Sequence, residues 1–339
     1  MSRSRARSAE PPPTLRVRRP ADFLAVVPYL LGFHPSASLV AALSRHGRVV
    51  LTARLDLPPP DLVDRVRDQL LGLVAQHRID EVVLAVYGED PVLGRRVLER
   101  MLDGAPGHVL VREALLVSGG RWWSLTCRTG CCPTQGTPFD PTTHRLAAEA
   151  VYAGLSAESS RAALEGQVRG PQASDVPRLE EAVRQARAEV APLDRAASAA
   201  RMAATVRAVL AGTAELDEPT CVLLAVLALD PTVRDVAWAL MSRDTIGDHV
   251  RLWSAVVARS PDEVAPAPLG LLGAAGWISG NGALLNCCIE RLERTDPGYT
   301  MGHILADISD RALPPLLWDE LVEDLRTEVG SVAGDLRLY

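Results

Sequence analysis

Lysine is absent from this chain of 339 residues, and all 36 of its basic residues are arginine. Without lysine there is no Schiff-base amine, no pyridoxal-phosphate anchor and no Walker-type phosphate loop. Asparagine occurs only at Asn281 and Asn286, isoleucine six times, and aromatic residues make up 4%. The cores must therefore be built mostly from Leu, Val and Ala. The scarce amino acids are those with A/T-rich codons, while Arg, Ala, Gly and Pro abound, which is the signature of a high-G+C genome. Every cation is a guanidinium that stays charged at physiological pH. Candidates for titration narrow to seven histidines, six cysteines and the carboxylates. The motifs H-E-x-x-H, G-x-S-x-G and H-x-E with P-C-x-x-C are missing. Gly280-Asn281-Gly282 mimics half of a dinucleotide fingerprint but lacks the preceding strand and the third glycine.

What is present is ordinary globular material. The apolar content is 47%, and the length suggests about two domains. A net charge of −6 and a pI near 5.7 argue against a nucleic-acid partner. The charge is uneven. Residues 1–20 hold six arginines and one glutamate, a net +5, which leaves −11 for the rest. Residues 1–19 read as a disordered basic tail. Arg18-Arg19 before an apolar run resembles an export signal, but Pro20, Ala21 and Asp22 intervene and Pro28 interrupts the run. The chain therefore reads as cytoplasmic. The uncharged stretch Val264 to Ile289 is long enough by count to cross a membrane. It also contains Pro266, Pro268 and five glycines, and reads as a buried helical hairpin turning near Ser279-Gly280-Asn281-Gly282. No membrane association is expected.

Hydrophobic periodicity predicts the fold class. Residues 14–18 suit a strand, 21–31 a short helix, and Ser38–Leu43 with Arg48–Leu57 a β-hairpin across Arg45-His46-Gly47. In the second strand Thr52, Arg54 and Asp56 share one face, and Leu51, Ala53, Leu55 and Leu57 the other. Residues 61–77 and 90–102 have helical spacing. Glu81–Tyr87, Val109–Ser118 and Arg121–Thr126 read as strands. This alternation predicts an α/β N-terminal domain, a mixed sheet with helices, over 20–155. Residues 156–175 read as a linker. Residues 176–339 read as an all-α helical domain. A window of about 34 residues closing at Pro297 suits a tetratricopeptide helix–turn–helix unit at Leu272, Gly273 and Gly280. Leu269 stands where its opening Trp is expected, and no second copy is evident. Tetratricopeptide-like hairpins are expected on that pattern.

The most specific feature is a cysteine loop over 127–138. Cys127, Cys131 and Cys132 lie within six residues, after Trp122-Trp123-Ser124-Leu125-Thr126. Thiolates are soft donors, and a C-x3-C spacing can place two sulfurs on one zinc ion. The loop supplies at most three ligands, and His144 is a candidate fourth. A disulfide, a thiol activated by Arg121 or Arg128, and simple packing in a tight loop remain open beside the metal. His34, Arg54 and Asp56 form a candidate pocket that the cysteines would share. The cofactor is unknown, with zinc a candidate. Cys221, Cys287 and Cys288 read as core.

Several segments together resemble an actinobacterial family catalogued as domain of unknown function 4192. They are Tyr29-Leu30-Leu31-Gly32-Phe33-His34-Pro35 with Ser38-Leu39-Val40, and Arg54-Leu55-Asp56-Leu57-Pro58. The run from Trp122 to Gly136 follows, then Trp277 to Ala283 and Asp296-Pro297-Gly298-Tyr299. Asn286 and Met301 depart from the small or apolar residues expected there. The resemblance implies a high-G+C actinobacterium and a cytoplasmic protein. The family has no assigned activity, so no catalytic residue is carried over. Two expectations follow. One is a non-catalytic interaction or regulatory protein, with a protein partner on the helical domain. The other is a metal- or thiol-dependent enzyme or redox sensor centred on Cys127, Cys131 and Cys132.

Overall fold

A computed structural model describes residues 15–127, 130, 132–152 and 157–333. They divide into two compact units, the first holding residues up to Tyr29 with His34–Ala157, the second Leu30–Phe33 with residues from Glu158 onward. The basic tail lies outside the described residues as far as Thr14.

The first unit begins with α1 (Pro20–Leu31), β1 (Ser38–Arg45) and β2 (Arg48–Asp56). It continues through α2 (Val63–Gln76), β3 (Glu81–Tyr87), α3 (Pro91–Asp103), β4 (Leu110–Ser118), β5 (Arg121–Ser124), β6 (Thr137–Pro138) and α4 (Arg145–Tyr152). The six strands form one mixed sheet in the order β2-β1-β3-β4-β5-β6. Only β3 and β4 pair in parallel, with α3 as the crossover between them. Hairpins make the other sequential pairs. His46 and Gly47 both have positive φ (52° and 70°), as do Gly119 and Gly120 (55° and 70°). Two such residues form the tight turn whose twist matches that of antiparallel strands.

One face of the sheet carries Leu39, Ala41, Leu43, Val82, Leu84, Val86, Ala114 and Leu116. It packs on Val63, Leu70 and Val74 of α2 and on Val97, Leu98 and Met101 of α3. The opposite face is more polar. There Ser38 stands between Asp56 and Tyr87 in register, and Glu113 accepts hydrogen bonds from Ser124 and Thr126 at 2.8 and 3.0 Å. Residues 15–18 are not a strand; no neighbouring strand completes a ladder with them, and Val17 stays exposed.

The second unit is helical among its described residues. Its elements are α5 (Arg161–Val168), α6 (Val176–Val190), α7 (Arg195–Leu210), α8 (Glu218–Leu227), α9 (Pro231–Ala239), α10 (Ile246–Val257), α11 (Pro266–Ile278), α12 (Gly282–Thr295), α13 (Thr300–Asp310) and α14 (Trp318–Ala333). Helix starts are written in the sequence. Asp194, Asp217 and Asp230 each accept a backbone N–H from the first turn that follows. The expected hairpin is α11 and α12, turned by Gly280 at φ +79° and capped by the Asn281 side chain on the Leu284 N–H. Trp318 stacks on Trp238 at 5.4 Å and meets Trp277 edge-on at 6.3 Å. Its indole N–H donates to the Met241 carbonyl.

The expected linker contains α5. Ser160 caps that helix, and Leu164 and Val168, four residues apart on one face, are both buried. No helix among the described residues is long and apolar enough to cross a membrane.

Candidate functional site

The cysteine loop leaves β5 and returns as β6. Its closure comes from the strand that launches it. The Trp123 indole N–H donates to the Thr134 carbonyl at 3.0 Å. Arg121 donates to the carbonyls of Gly136 and Gln135 at 3.0 and 3.3 Å. Gly136 sits at φ +75° against the Trp123 ring, where an added Cβ would come within 2.5 Å of the indole. Cys127 and Cys132 are half-buried. Cys131 and Arg128 lie outside the described residues.

His144 is engaged elsewhere. Its Nδ1 accepts the Leu146 N–H at 3.2 Å, and its Nε2 lies 3.4 Å from Asp22 Oδ1. Asp22 also accepts the N–H groups of Arg18 and Arg19. His144 therefore ties the start of α4 to the first turn of α1. Among the described residues, no group of three or more His, Cys, Asp and Glu side chains is placed to hold a metal ion.

Arg54 and Asp56 do come together. Arg54 Nη2 is 2.6 Å from Asp56 Oδ1, and its Nε donates to Ser38 Oγ at 2.9 Å. Ser38 is fully buried and donates in turn to the Ser36 carbonyl at 2.7 Å. The Arg54 side chain is 13% exposed and that of Asp56 87%. His34 is half-buried in the turn that precedes β1. This cluster and the cysteine loop are separate. Arg54 lies on β2 and Cys127 follows β5, four strands away in the sheet order. Strands about 4.8 Å apart put roughly 19 Å between them.

Sequence reading missed a polar concavity that lies wholly within the helical unit. A cavity of about 450 Å³ is lined by Glu165, Val168 and Arg169 around the end of α5, by Asp262, and by Cys287, Glu290, Arg291, Arg294 and Thr295 of α12. Arg291 is its buried base, with a side chain 4% exposed. Its Nη1 donates to the Val168 carbonyl and its Nη2 to Asp262 at 3.2 Å. Gly170, at φ +88°, leaves space for the guanidinium; a Cβ there would lie 2.5 Å from Nη2. Burial pulls the Arg291 pKa down and Asp262 opposes the shift.

Glu165 and Glu290 both reach Arg161 through their Oε1 atoms. Arg169 and Arg294 are exposed and make no ion pair among the described residues. Cys287 is buried beside them, and desolvation pushes its thiol up to about 11. The sequence signal was the spacing of Cys287, Glu290, Arg291 and Arg294, which is that of a single helix face. Its partner, Arg169, lay in the expected linker.

No curated protein and no solved structure matches the chain. One family does, over residues 20–316, nearly the whole of the described chain. The segments singled out by resemblance fall inside that match, including the β1–β2 hairpin, the cysteine loop and the α11–α12 turn. The chain belongs to the family described as Domain of unknown function (DUF4192).

Proposed function

We propose that this is a non-catalytic regulatory or interaction protein of the cytoplasm, whose helical unit takes up a small anion and presents a surface to a protein partner. The observation that carries this reading is the cavity at α5 and α12, with Arg291 beneath it and Arg169 and Arg294 among its lining, neither in an ion pair with a carboxylate among the described residues. Guanidinium groups hold their charge at any physiological pH and present paired N–H donors to an oxyanion. Burial pushes the Cys287 thiol up to about 11, which keeps it protonated near neutral pH. Such a lining suits binding better than proton transfer. The antiparallel α11–α12 pair supports the tetratricopeptide-like part of the reading, since such hairpins serve as partner surfaces in repeat proteins.

Thermal unfolding in orthophosphate, against chloride at equal ionic strength, tests the anion site. Orthophosphate should raise Tm in the intact protein and not in Arg294→Gln. Equal Tm values in the two salts would overturn the reading.

A second reading keeps thiol or zinc chemistry at Cys127, Cys131 and Cys132. It is favoured by the partial exposure of Cys127 and Cys132, where Cys221, Cys287 and Cys288 are buried. Zinc bound at one equivalent by anaerobically purified protein, and lost in Cys132→Ser, would support it. Less than about 0.1 equivalent, with unreactive loop thiols, would remove it.

A further inference from the structure

We infer that Arg161 is a positioning residue for the α5–α12 cavity: it holds Glu165 and Glu290 away from Arg169 and Arg294, and so keeps those two guanidinium groups open to an anion. The inference rests on the anion-binding reading above. Glu165, Arg169, Glu290 and Arg294 all line the cavity, and Arg161 itself is not part of the lining.

The acidic and basic residues of the lining stand one helical turn apart. Glu165 precedes Arg169 by four positions, and Arg169 keeps helical backbone angles at the end of α5 (φ −66°, ψ −28°). Glu290 precedes Arg294 by four positions within α12. A glutamate four residues before a basic residue is the favoured order for an ion pair on a helix. Local spacing therefore favours two closed pairs, Glu165 with Arg169 and Glu290 with Arg294, and no cation left over. Neither pair forms. Arg161 Nε donates to Glu165 Oε1 at 2.9 Å instead, and its Nη2 donates to Glu290 Oε1, which joins α5 to α12. Within α5 this puts the basic residue before the acidic one, the poorer order. The tertiary contact with Glu290 makes up the difference. The Arg161 side chain is 29% exposed, against 45% and 48% for its two carboxylates, so the shared cation is screened less than an open surface charge.

One guanidinium thus occupies two carboxylates. The two cations that those carboxylates would otherwise neutralise make no ion pair among the described residues. Burial lowers the Arg291 pKa, and the charge of Arg294 lowers it further. The cavity therefore holds an excess of positive charge that an oxyanion relieves. Without Arg161, Glu165 and Glu290 are free to turn to the cations one turn along their own helices, and they then compete with the anion from within the chain.

The test is calorimetric titration of the full chain with orthophosphate, arranged as a double-mutant cycle. Arg161→Gln should weaken binding about tenfold, the scale of coupling between residues in contact. In that background Glu165→Gln with Glu290→Gln should recover about tenfold, whereas the same two changes in the parent should raise affinity by less than about threefold. Recovery also shows that the Arg161→Gln chain is folded. Charge alone gives an equal gain in both backgrounds. Arg161→Lys is the second variant. It keeps the charge but offers one ammonium where the guanidinium uses two separate nitrogens, so it should still weaken binding by about threefold or more. An equal gain in both backgrounds, or an Arg161→Lys protein that binds as the parent does, would overturn the role of Arg161 and leave the anion site standing. A parent protein that does not bind orthophosphate would overturn both.

Discussion

Arg54 touches Ser38 and Asp56, and the two contacts are of unequal worth. Its bond to Ser38 is buried, whereas its pair with Asp56 faces water. A buried hydroxyl that loses a hydrogen bond costs about 1–3 kcal/mol, and exposed ion pairs contribute little. Arg54→Leu should therefore shift the urea midpoint well below that of the parent, and Asp56→Asn should scarcely move it. Equal shifts would show that the ion pair, not the serine contact, anchors the arginine. His249 is a second residue whose surroundings decide its chemistry. It is fully buried, both ring nitrogens lack a close hydrogen-bond partner, and desolvation lowers its pKa from 6.5 to about 4. The unfolded chain therefore takes up this proton first as pH falls. Its stabilising neutrality is complete above pH 6.5 and lost as pH falls toward 4. At about 1.4 kcal/mol per pKa unit, the loss is on the order of 3 kcal/mol. His249→Leu should flatten the plot of unfolding free energy against pH over that window; an unchanged slope would assign it to other groups. Neither role was legible in the sequence, because burial and partners belong to the folded chain. The alternation that put Arg54 and Asp56 on one face was legible, and the structure places them in contact.

Elements with strong periodicity stood out, and weak ones did not. Glu81–Tyr87 is a nearly unbroken apolar run and forms β3 with those limits. Residues 156–175 contain the eight-residue α5, whose buried stripe is only Leu164 and Val168, too short a pattern to distinguish from a loop. The cysteine loop shows how one glycine fixes an element. Gly136 combines a positive φ with an indole ring 2.5 Å from where a Cβ would stand, whereas Gly212 has a similar φ of +69° and open space around it. Gly136→Ala should cost about 1–3 kcal/mol through backbone strain and overpacking. Gly212→Ala should cost only about 1 kcal/mol, from the backbone conformation alone. Paired thermal denaturation curves check this, and equal losses would mean that Trp123 yields without cost.

At the scale of the whole molecule, the chain does not divide at a single point. Leu30–Phe33 belongs to the helical unit although residues on both sides belong to the sheet unit. The Gly32 carbonyl accepts the Glu158 N–H at 2.8 Å, Phe33 is 1% exposed, and the Gly32 backbone lies against the Asn281 side chain. Removing a buried Phe side chain typically costs about 3–5 kcal/mol. Phe33→Ala should therefore reduce amide protection in α11 and α12 of the helical unit. Hydrogen exchange reads this directly, and loss confined to β1–β5 would contradict the assignment. By itself the sequence determined the composition of the cores, the strands and helices with clear periods, the Asp caps, the α11–α12 turn and the family. These are local or additive properties, set by spacing, backbone conformation and side-chain chemistry. Only the tertiary structure decided the sheet order, the separation of Arg54 from Cys127, the use of His144 as a tie to Asp22, and the meeting of Arg169 with Arg291 and Arg294. Each of those depends on which distant segments share a contact, and hydrophobic burial, being non-directional, leaves no local mark of that choice.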